Sequence, residues 1–166
     1  MTIHYKKLNS KNFNTYSLDH FVRYQEVNEC WRNVDGQWKL IPIAFKEDWS
    51  VEQCREIAAD VAAHMEKDQT AIGAFDEQEL VGFITVSHEI FGSTAKYVEL
   101  VNFEVSKPYR GQKIGKTLFC EACEEAKKSG ADKLYISAHS SRESQAAYQA
   151  IGCVHAKEIN RKIAEK

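Results

Sequence analysis

The sequence lacks a long hydrophobic run and an excess of charge of either sign. No stretch of its 166 residues approaches the roughly 20 apolar residues of a membrane-spanning helix. Lysine and arginine number 22 against 24 aspartates and glutamates, and the two signs are interspersed along the chain. This balance argues against a nucleic-acid-binding surface. We therefore expect neither a membrane nor a nucleic acid among the partners of this protein.

An apolar secretory signal is also missing from the N-terminus, Met-Thr-Ile-His-Tyr-Lys-Lys. The cysteines are odd in number: Cys30, Cys54, Cys120, Cys123 and Cys153. Without an export signal, this count favours reduced thiols and a cytoplasmic location. Cys120 and Cys123 form a C-x-x-C within a predicted helix, and no second pair stands at the spacing of a zinc site. We expect them to pack in the core, and we expect no metal.

No repeat, low-complexity run or linker interrupts the chain, which predicts a single domain over residues 1–166. Hydrophobic patterning predicts a strand over His4–Leu8 and a helix from about Asn12 to Arg23. The periodicity is then lost between Tyr24 and Trp49, where we expect a long connection of the kind that often carries function. Ser50 and Gln53 form a capping box that opens a second helix, with an apolar stripe made of Cys54, Ile57, Ala58, Val61, Ala62 and Met65.

The second half predicts a hairpin, a β-α-β crossover and a final helix and strand. The expected segments are strands Thr70–Asp76, Leu80–Ile90 and Tyr97–Ser106, helix 111–128, strand Leu134–Ala138, helix Arg142–Ile151 and strand Cys153–Ile159. This order is typical of an α/β (α+β) domain with a mixed, mostly antiparallel sheet and about four helices.

The most informative segment is 105–119, where a strand leads into a turn of small and basic residues that opens directly into a helix. The first turn of a helix presents unpaired N–H groups and the positive end of the helix dipole. Gly111 and Gly115 lack a Cβ, so an anion can approach the main chain closely. Positive charge is added around them by Arg110, Lys113 and Lys116. The segment predicts a pyrophosphate site.

This turn resembles the signature of the GNAT superfamily of acetyl-CoA-dependent N-acetyltransferases, Q/R-x-x-G-x-G/A. Arg110 stands at its first position and Gly115 at its last. Lys113 departs from the pattern because it replaces the first glycine. If its φ must be positive, lysine costs about 1 kcal/mol there relative to glycine.

A second family landmark, a helix of the form N-x-x-A-x-x-x-Y-x-x-x-G-F, resembles residues 141–153. Tyr148 and Gly152 match it. Three positions differ from it: Ser141, Ser144 and Cys153. The resemblance covers about residues 70–155, which would form the cofactor-binding core, and extends to the N-terminal part only through the order of elements.

The resemblance implies that acetyl-CoA donates its acetyl group directly to an amine in a ternary complex. It also implies that the pantetheine arm pairs with the end of the strand before the signature and that the turn holds the phosphates. The implied cofactor contacts are Phe103, Glu104, Val105, Arg110, Gly111, Gln112, Lys113, Ile114, Gly115, Lys116, Ser141 and Ser144.

For catalysis, the resemblance assigns Tyr148 as the general acid that protonates the departing thiolate. A tyrosine that merely packs under the cofactor is the alternative. The resemblance suggests Glu99 as the general base, because it lies eleven residues before Arg110, where the histone acetyltransferase branch of the family has its glutamate base. We expect Glu99 to share a strand face with Val101, Phe103 and Val105 and to be partly buried. The alternatives to it are a water relay and four other side chains: His88, Glu89, Glu104 and His139.

The resemblance implies that the acceptor binds near the region 24–49. Aromatic residues there could line a pocket or could simply pack the region onto the sheet. Its acidic residues could attract a cationic amine: Glu26, Glu29, Asp35, Glu47 and Asp48. We expect a small-molecule amine first and a protein or peptide amine second. A module that binds acyl-CoA without turnover is a further alternative.

The segment that follows the strand predicted at Cys153 is too short to form the strand that usually completes the sheet of this family. Truncation, an open edge or a partner subunit would each account for this, and we expect a homodimer.

Overall fold

The computed structural model describes residues 2–137, 141–156, 160 and 163. Its elements in chain order are β1 (Ile3–Lys7), β2 (Tyr24–Val34), β3 (Gln37–Asp48), α1 (Val51–His64), β4 (Gln69–Asp76), β5 (Glu79–Ser87), β6 (Tyr97–Val105), α2 (Ile114–Lys128), β7 (Lys133–Ile136) and α3 (Arg142–Ala150). The chain divides into two compact units. The first unit combines Met1–Arg23 with Trp49–Ile136, and the second combines Tyr24–Asp48 with Ser137–Lys166.

The first unit is built on a five-stranded sheet of order β1-β4-β5-β6-β7. Every neighbouring pair is antiparallel except β6 and β7, which are parallel and joined through α2. The mostly antiparallel sheet and the β-α-β crossover predicted from the sequence are thereby confirmed. The described residues hold three α-helices, where the sequence predicted about four.

Helices α1 and α2 bury their apolar stripes in separate core clusters. Both capping-box hydrogen bonds between Ser50 and Gln53 are present at the start of α1. Buried residues of α1 pack with Phe83 of β5, and those of α2 pack with Ile84 of the same strand. Successive side chains of a strand point to opposite faces, so the two helices lie against opposite faces of the sheet. Gly130, with a φ of 91°, ends α2 as predicted.

The helix predicted from Asn12 to Arg23 is wrong, because this segment forms consecutive turns. Asparagine side chains there bond to nearby main-chain N–H groups: Asn9 Oδ1 accepts from Lys11, Asn12 Oδ1 from Asn9, and Asn14 Oδ1 from Tyr16. Such local bonds compete with helix formation. The hydrophobic spacing is nevertheless meaningful, because Phe13, Leu18 and Phe21 are buried.

The long connection predicted between Tyr24 and Trp49 is instead the antiparallel hairpin β2–β3. Asp35 and Gly36 form its two-residue turn with φ values of 52° and 81°, and Asp-Gly is a strong signal for such a turn. A register shift follows Val27 and interrupts the alternation along the strands. Because of this irregularity, apolar and polar residues do not alternate regularly in the sequence of this region.

The C-terminal part of the chain is described only in pieces. Helix α3 is confirmed, and Gly152 follows it with a φ of 95°. The strand predicted over Cys153–Ile159 is wrong for its first part, since 153–156 is not in a strand, and the remainder lies outside the described residues.

Candidate functional site

The turn between β6 and α2 has two residues in the left-handed region. A short 3₁₀ turn, Lys107–Tyr109, is followed by Arg110 in an extended conformation. Gly111 has a φ of 79° and Lys113 a φ of 66°. Because these residues depart from helical geometry, α2 begins at Ile114 and not at residue 111 as predicted. The expected positive φ of Lys113 is confirmed.

The N-terminus of α2 is capped by a residue that cannot accept a hydrogen bond through its side chain. Lys113 is the N-cap, and no side chain of the described residues caps this end. Within the helix, the N–H of Thr117 donates to the carbonyl of Lys113 at 3.2 Å. The N–H groups of residues 114–116, which precede Thr117 in α2, therefore have no carbonyl partner within the helix, and an anion could accept from them.

The start of the turn is fixed by the segment that precedes β2. Ser106 is 4% exposed, and its Oγ accepts a hydrogen bond from the N–H of Val22 at 2.9 Å. The next N–H, that of Lys107, donates to the carbonyl of Val22 at 2.8 Å. These reciprocal bonds hold the end of β6 against residues 21–23 and limit where the following turn can lie.

Tyr109 ties the same turn to the hairpin between β4 and β5. Its hydroxyl donates to Asp76 Oδ2 at 2.8 Å. This hydrogen bond favours the neutral phenol and raises the pKa of Tyr109 above its ordinary value, with smaller contributions from burial and from the Asp76 charge.

Two arginines and one carboxylate lie where β6 meets the turn. Arg23 Nε is 2.8 Å from Glu104 Oε2, and their side chains are 11% and 25% exposed. Arg110 Nε donates to the carbonyl of Val105 at 3.1 Å. Burial lowers the pKa of Arg110, as does the charge of Arg23, while Glu104 acts in the opposite direction. Arginine stays protonated at neutral pH, so this corner of the turn carries positive charge.

The end of β6 extends past the end of β7. Among the described residues, which omit 138–140, pairing between the two strands stops at Leu100, opposite Ile136, and β6 continues to Val105. Because the N–H of Ser106 donates to the carbonyl of Val81 at 2.8 Å, Val105 belongs to a non-hydrogen-bonded pair with β5. Its N–H and C=O therefore point to the β7 side of the sheet, where an extended ligand with amide groups could add to the edge.

Gly115 packs over this part of β6. A Cβ placed on it would lie 3.5 Å from Phe103 and 3.7 Å from Val105, which is ordinary contact. The last position of the predicted signature thus requires a small residue over the strand, and alanine would also fit.

A β-bulge interrupts β6 at Val101. Thr85 pairs with Asn102, but the next residue of β5, Val86, pairs with Leu100. One residue of β6 is therefore extra, and the alternation of side chains is displaced by one position beyond it.

The bulge corrects the predicted face of Glu99. Leu100, Phe103 and Val105 pack in the core cluster of α2, so Glu99 points to the opposite face, together with Glu104. The expectation that Glu99 shares a face with Phe103 and Val105 is wrong, because the sequence contains no signal for the extra residue. Glu99 is partly buried there.

The other predicted site residues lie in the second unit, on or beside α3. Ser141 is fully buried, and its Oγ accepts from the N–H of Ser144 at 3.2 Å and from Gln25 Nε2 at 3.0 Å. Arg142 Nη1 lies 3.1 Å from Glu29 Oε1. These contacts fix the start of α3 to β2. Tyr148 is half-buried within α3, so the structure places it in a different unit from the turn.

The alternative bases differ in their surroundings. His88 Nε2 lies 2.7 Å from Thr70 Oγ1, and Glu89 is exposed. Glu104 is paired with Arg23. His139 lies outside the described residues.

The sequence alone gives no indication that several side chains shape this region. Arg23, Thr85 and Tyr109 contact partners that are 81, 17 and 33 residues away in the chain. Local motifs carry no signal for such pairs. Within the described ranges, no group of three or more His, Cys, Asp or Glu side chains is arranged to hold a metal ion. None of the helices described has the length and apolar character needed to span a bilayer.

The family model described as "Acetyltransferase (GNAT) family" matches residues 24–153. No protein of curated function matches the sequence significantly. Among solved structures, nourseothricin acetyltransferase shares 17% identity with a TM-score of 0.68, covering 92% of this chain and 83% of that one. A Bacillus anthracis str. Ames protein described as a streptothricin acetyltransferase, solved with acetyl-coenzyme A, shares 16% with a TM-score of 0.68, covering 92% and 84%. A ribosomal-protein-alanine N-acetyltransferase from Brucella melitensis shares 12% with a TM-score of 0.58, covering 96% of both chains.

Proposed function

As a member of the GNAT family, the chain is an acetyl-CoA-dependent N-acetyltransferase, and we propose that its acceptor is the amine of a small molecule. The observation that supports the cofactor site best is the N-terminus of α2. Its N-cap is a lysine, and its outward N–H groups need an acceptor from outside the described part of the chain. A pyrophosphate supplies both the negative charge and the acceptor oxygens.

In the proposed reaction, the neutral amine attacks the thioester carbonyl directly. The new C–N bond forms, the C–S bond breaks, and coenzyme A leaves as a thiolate that must gain a proton. The attacking nitrogen must lose one. Binding both reactants side by side supplies much of the rate enhancement, and a main-chain N–H at the end of β6 would polarise the carbonyl.

The proton transfers are assigned to two side chains. Tyr148 is the proposed general acid for the thiolate, since a phenol with an ordinary pKa near 10 can protonate it. Glu99 is the proposed general base, directly or through water. Its partial burial on the face opposite α2 supports this role. Glu104 is the weaker candidate, because Arg23 holds its carboxylate in an ion pair.

A small-molecule acceptor is favoured by two of the structural neighbours named above. Both carry names of antibiotic acetyltransferases, and their TM-scores of 0.68 exceed the 0.58 of the ribosomal-protein enzyme. The alternative, a protein or peptide amine, rests on that third neighbour. A non-catalytic acyl-CoA-binding module is the remaining alternative.

We further propose that the two units form one domain and that the protein acts in the cytoplasm. The five free cysteines support a reducing environment. The proposed homodimer is tested by sedimentation, where a monomer at micromolar concentration would contradict it.

The test of function measures free thiol release from acetyl-CoA against a panel of polyamines, aminoglycosides, streptothricins and N-terminal peptides. We expect release with at least one small amine and a large loss of kcat in Tyr148→Phe, which retains the ring without its hydroxyl. Release with peptides alone would establish the alternative acceptor. Stabilisation by coenzyme A without release from any amine would establish a binding module.

A further inference from the structure

Two irregularities of β6 occur at adjacent residues. Pairing with β7 ends at Leu100, and the extra residue of the bulge is Val101. A bulge bends its strand and increases the local twist. The segment of β6 beyond its pairing with β7 is Val101–Val105. This segment therefore begins at the bulge, where the strand changes direction.

One buried hydroxyl contacts the bulge from the neighbouring strand. Thr85 of β5 is 1% exposed. Its Oγ1 accepts a hydrogen bond from the main-chain N–H of Asn102 at 3.0 Å and another from Asn102 Nδ2 at 3.0 Å. The hydroxyl thus holds both the backbone and the side chain of the residue that follows Val101.

We propose that Thr85 positions the bulge, and through it the edge of β6 that receives the pantetheine arm of acetyl-CoA. The inference rests on the proposed function. Thr85 is a positioning residue: its side chain contacts Asn102 and acts on the cofactor only through the course of β6.

The positioning role of Thr85 follows from the fact that an extra residue in a strand can be displaced along it unless a specific contact holds it. Displacing the extra residue along β6 exchanges the faces of the residues it passes. If it moved towards the turn, past Phe103 and Val105, both side chains would lose their packing against Gly115. Val105 would also no longer direct its N–H and C=O to the β7 side. Two hydrogen bonds to one buried hydroxyl oppose this displacement, because a shifted Asn102 would leave buried polar groups without partners.

The position of Arg110 sets the other end of the same edge. Its Nε donates a hydrogen bond to the carbonyl oxygen of Val105. The edge between Val101 and Val105 is five residues long, about 16 Å at the rise of a strand. A pantetheine arm, which has two amide groups, can form strand-like hydrogen bonds over such a length.

The experiment compares two ligands on three proteins by calorimetry. Coenzyme A has the arm, whereas adenosine 3′,5′-bisphosphate has the nucleotide end without it. Thr85→Val keeps the shape but loses the hydroxyl, and Thr85→Ser keeps the hydroxyl. We expect Thr85→Val to weaken coenzyme A about tenfold and Thr85→Ser to restore it to within about twofold, with the bisphosphate unchanged throughout.

Equal weakening of both ligands in Thr85→Val, or no weakening of coenzyme A, would overturn the proposal. If Thr85→Val does not fold, Asn102→Ala provides the test. This substitution removes the Nδ2 donor to Thr85 Oγ1, keeps the main-chain donor, and lies at a partly exposed position. It should weaken coenzyme A about threefold and leave the bisphosphate unchanged, and wild-type affinity for coenzyme A would contradict the role. Failure of the wild-type protein to bind either ligand would contradict the proposed function instead.

Discussion

At the scale of single residues, Lys113 has the most informative backbone conformation. A lysine with a φ of 66° lies in the left-handed region, which costs an L-residue about 1–2 kcal/mol. Glycine avoids this cost but gains entropy in the unfolded chain, worth about 0.4–1 kcal/mol. Lys113→Gly should therefore raise the free energy of unfolding by roughly 0.5–1 kcal/mol in urea titrations without ligand.

Lys116→Gly is the matched control, because it removes the same charge from within α2. Glycine destabilises a helix interior by roughly 0.5–1 kcal/mol, so the two substitutions should change stability in opposite directions. Similar changes in both would mean that charge, and not conformation, decides the effect.

The hydrogen bond of Tyr109 predicts a pH dependence. Its pKa is raised in the folded chain above the ordinary value of 10.0, so the folded protein retains the phenol proton longer. The stabilisation is complete below about pH 10 and is lost as the pH rises through the folded value. The stability difference between wild type and Tyr109→Phe should be constant from pH 7 to 9 and shrink above pH 10.

Tyr16→Phe, at a position that is 63% exposed, controls for the loss of one titrating phenol. It should show no comparable trend in chemical denaturation at alkaline pH. A difference between wild type and Tyr109→Phe that persists unchanged above pH 11 would contradict the expectation.

At the scale of elements, the start of α3 depends on one buried serine. Ser141→Ala removes the N-cap of α3 and leaves Gln25 Nε2 without its acceptor. A lost cap costs about 1 kcal/mol, and the partly buried donor of Gln25 loses its partner as well, so we expect a loss of about 1–3 kcal/mol in urea titrations.

Ser144→Ala provides the comparison, since the main-chain N–H of Ser144 donates to Ser141 and survives the substitution. It should change stability by less than about 0.5 kcal/mol. Hydrogen exchange should show faster opening of α3 in Ser141→Ala alone, and equal exchange in both variants would argue against a special role for the cap.

Elements with regular patterns were predictable, and those governed by particular side chains were not. The stripe and capping box of α1 and the hairpin β4–β5 follow directly from the sequence. The segment after β1 has helical spacing, but its asparagines turn the chain by local hydrogen bonds. The hairpin β2–β3 carried the Asp35-Gly36 signal, which the interrupted alternation obscured.

The candidate site was predictable where its residues are consecutive. The turn 110–116 combines glycine, positive charge and a helix start in one segment, so its sequence is enough to suggest an anion site. The ion pair of Arg23 with Glu104 and the contact of Thr85 with Asn102 join distant segments. They depend on strand register, which a single bulge changes.

At the scale of the whole molecule, coenzyme A should stabilise the native state. A ligand at 100 times its Kd adds about 2.7 kcal/mol, which corresponds to a rise in Tm of roughly 5–10 °C for a chain of this size. Lys116→Glu, near the turn, should reduce the shift, because it places a negative charge beside the proposed phosphate site.

Lys128→Glu, at the far end of α2, makes the same change of charge away from the proposed site. It should leave the thermal shift close to that of wild type in differential scanning fluorimetry. Equal reductions in the two variants would point to net charge as the cause and would count against a phosphate site at the N-terminus of the helix.

The bulge at Val101 also decides how this enzyme should be engineered. The proposed role of Glu99 places the acceptor on the side of β6 that faces away from α2, so directed evolution of a new acceptor preference would mutate that side. Counting every second residue back from Glu104 would select Leu100 and Val98 beyond the bulge, and both of them belong to the core cluster of α2. The residues of that side are Glu99, Asn102 and Glu104. Glu99 is the proposed base and Asn102 holds the bulge, so a library would vary Glu104 and leave Leu100, a core residue, unchanged.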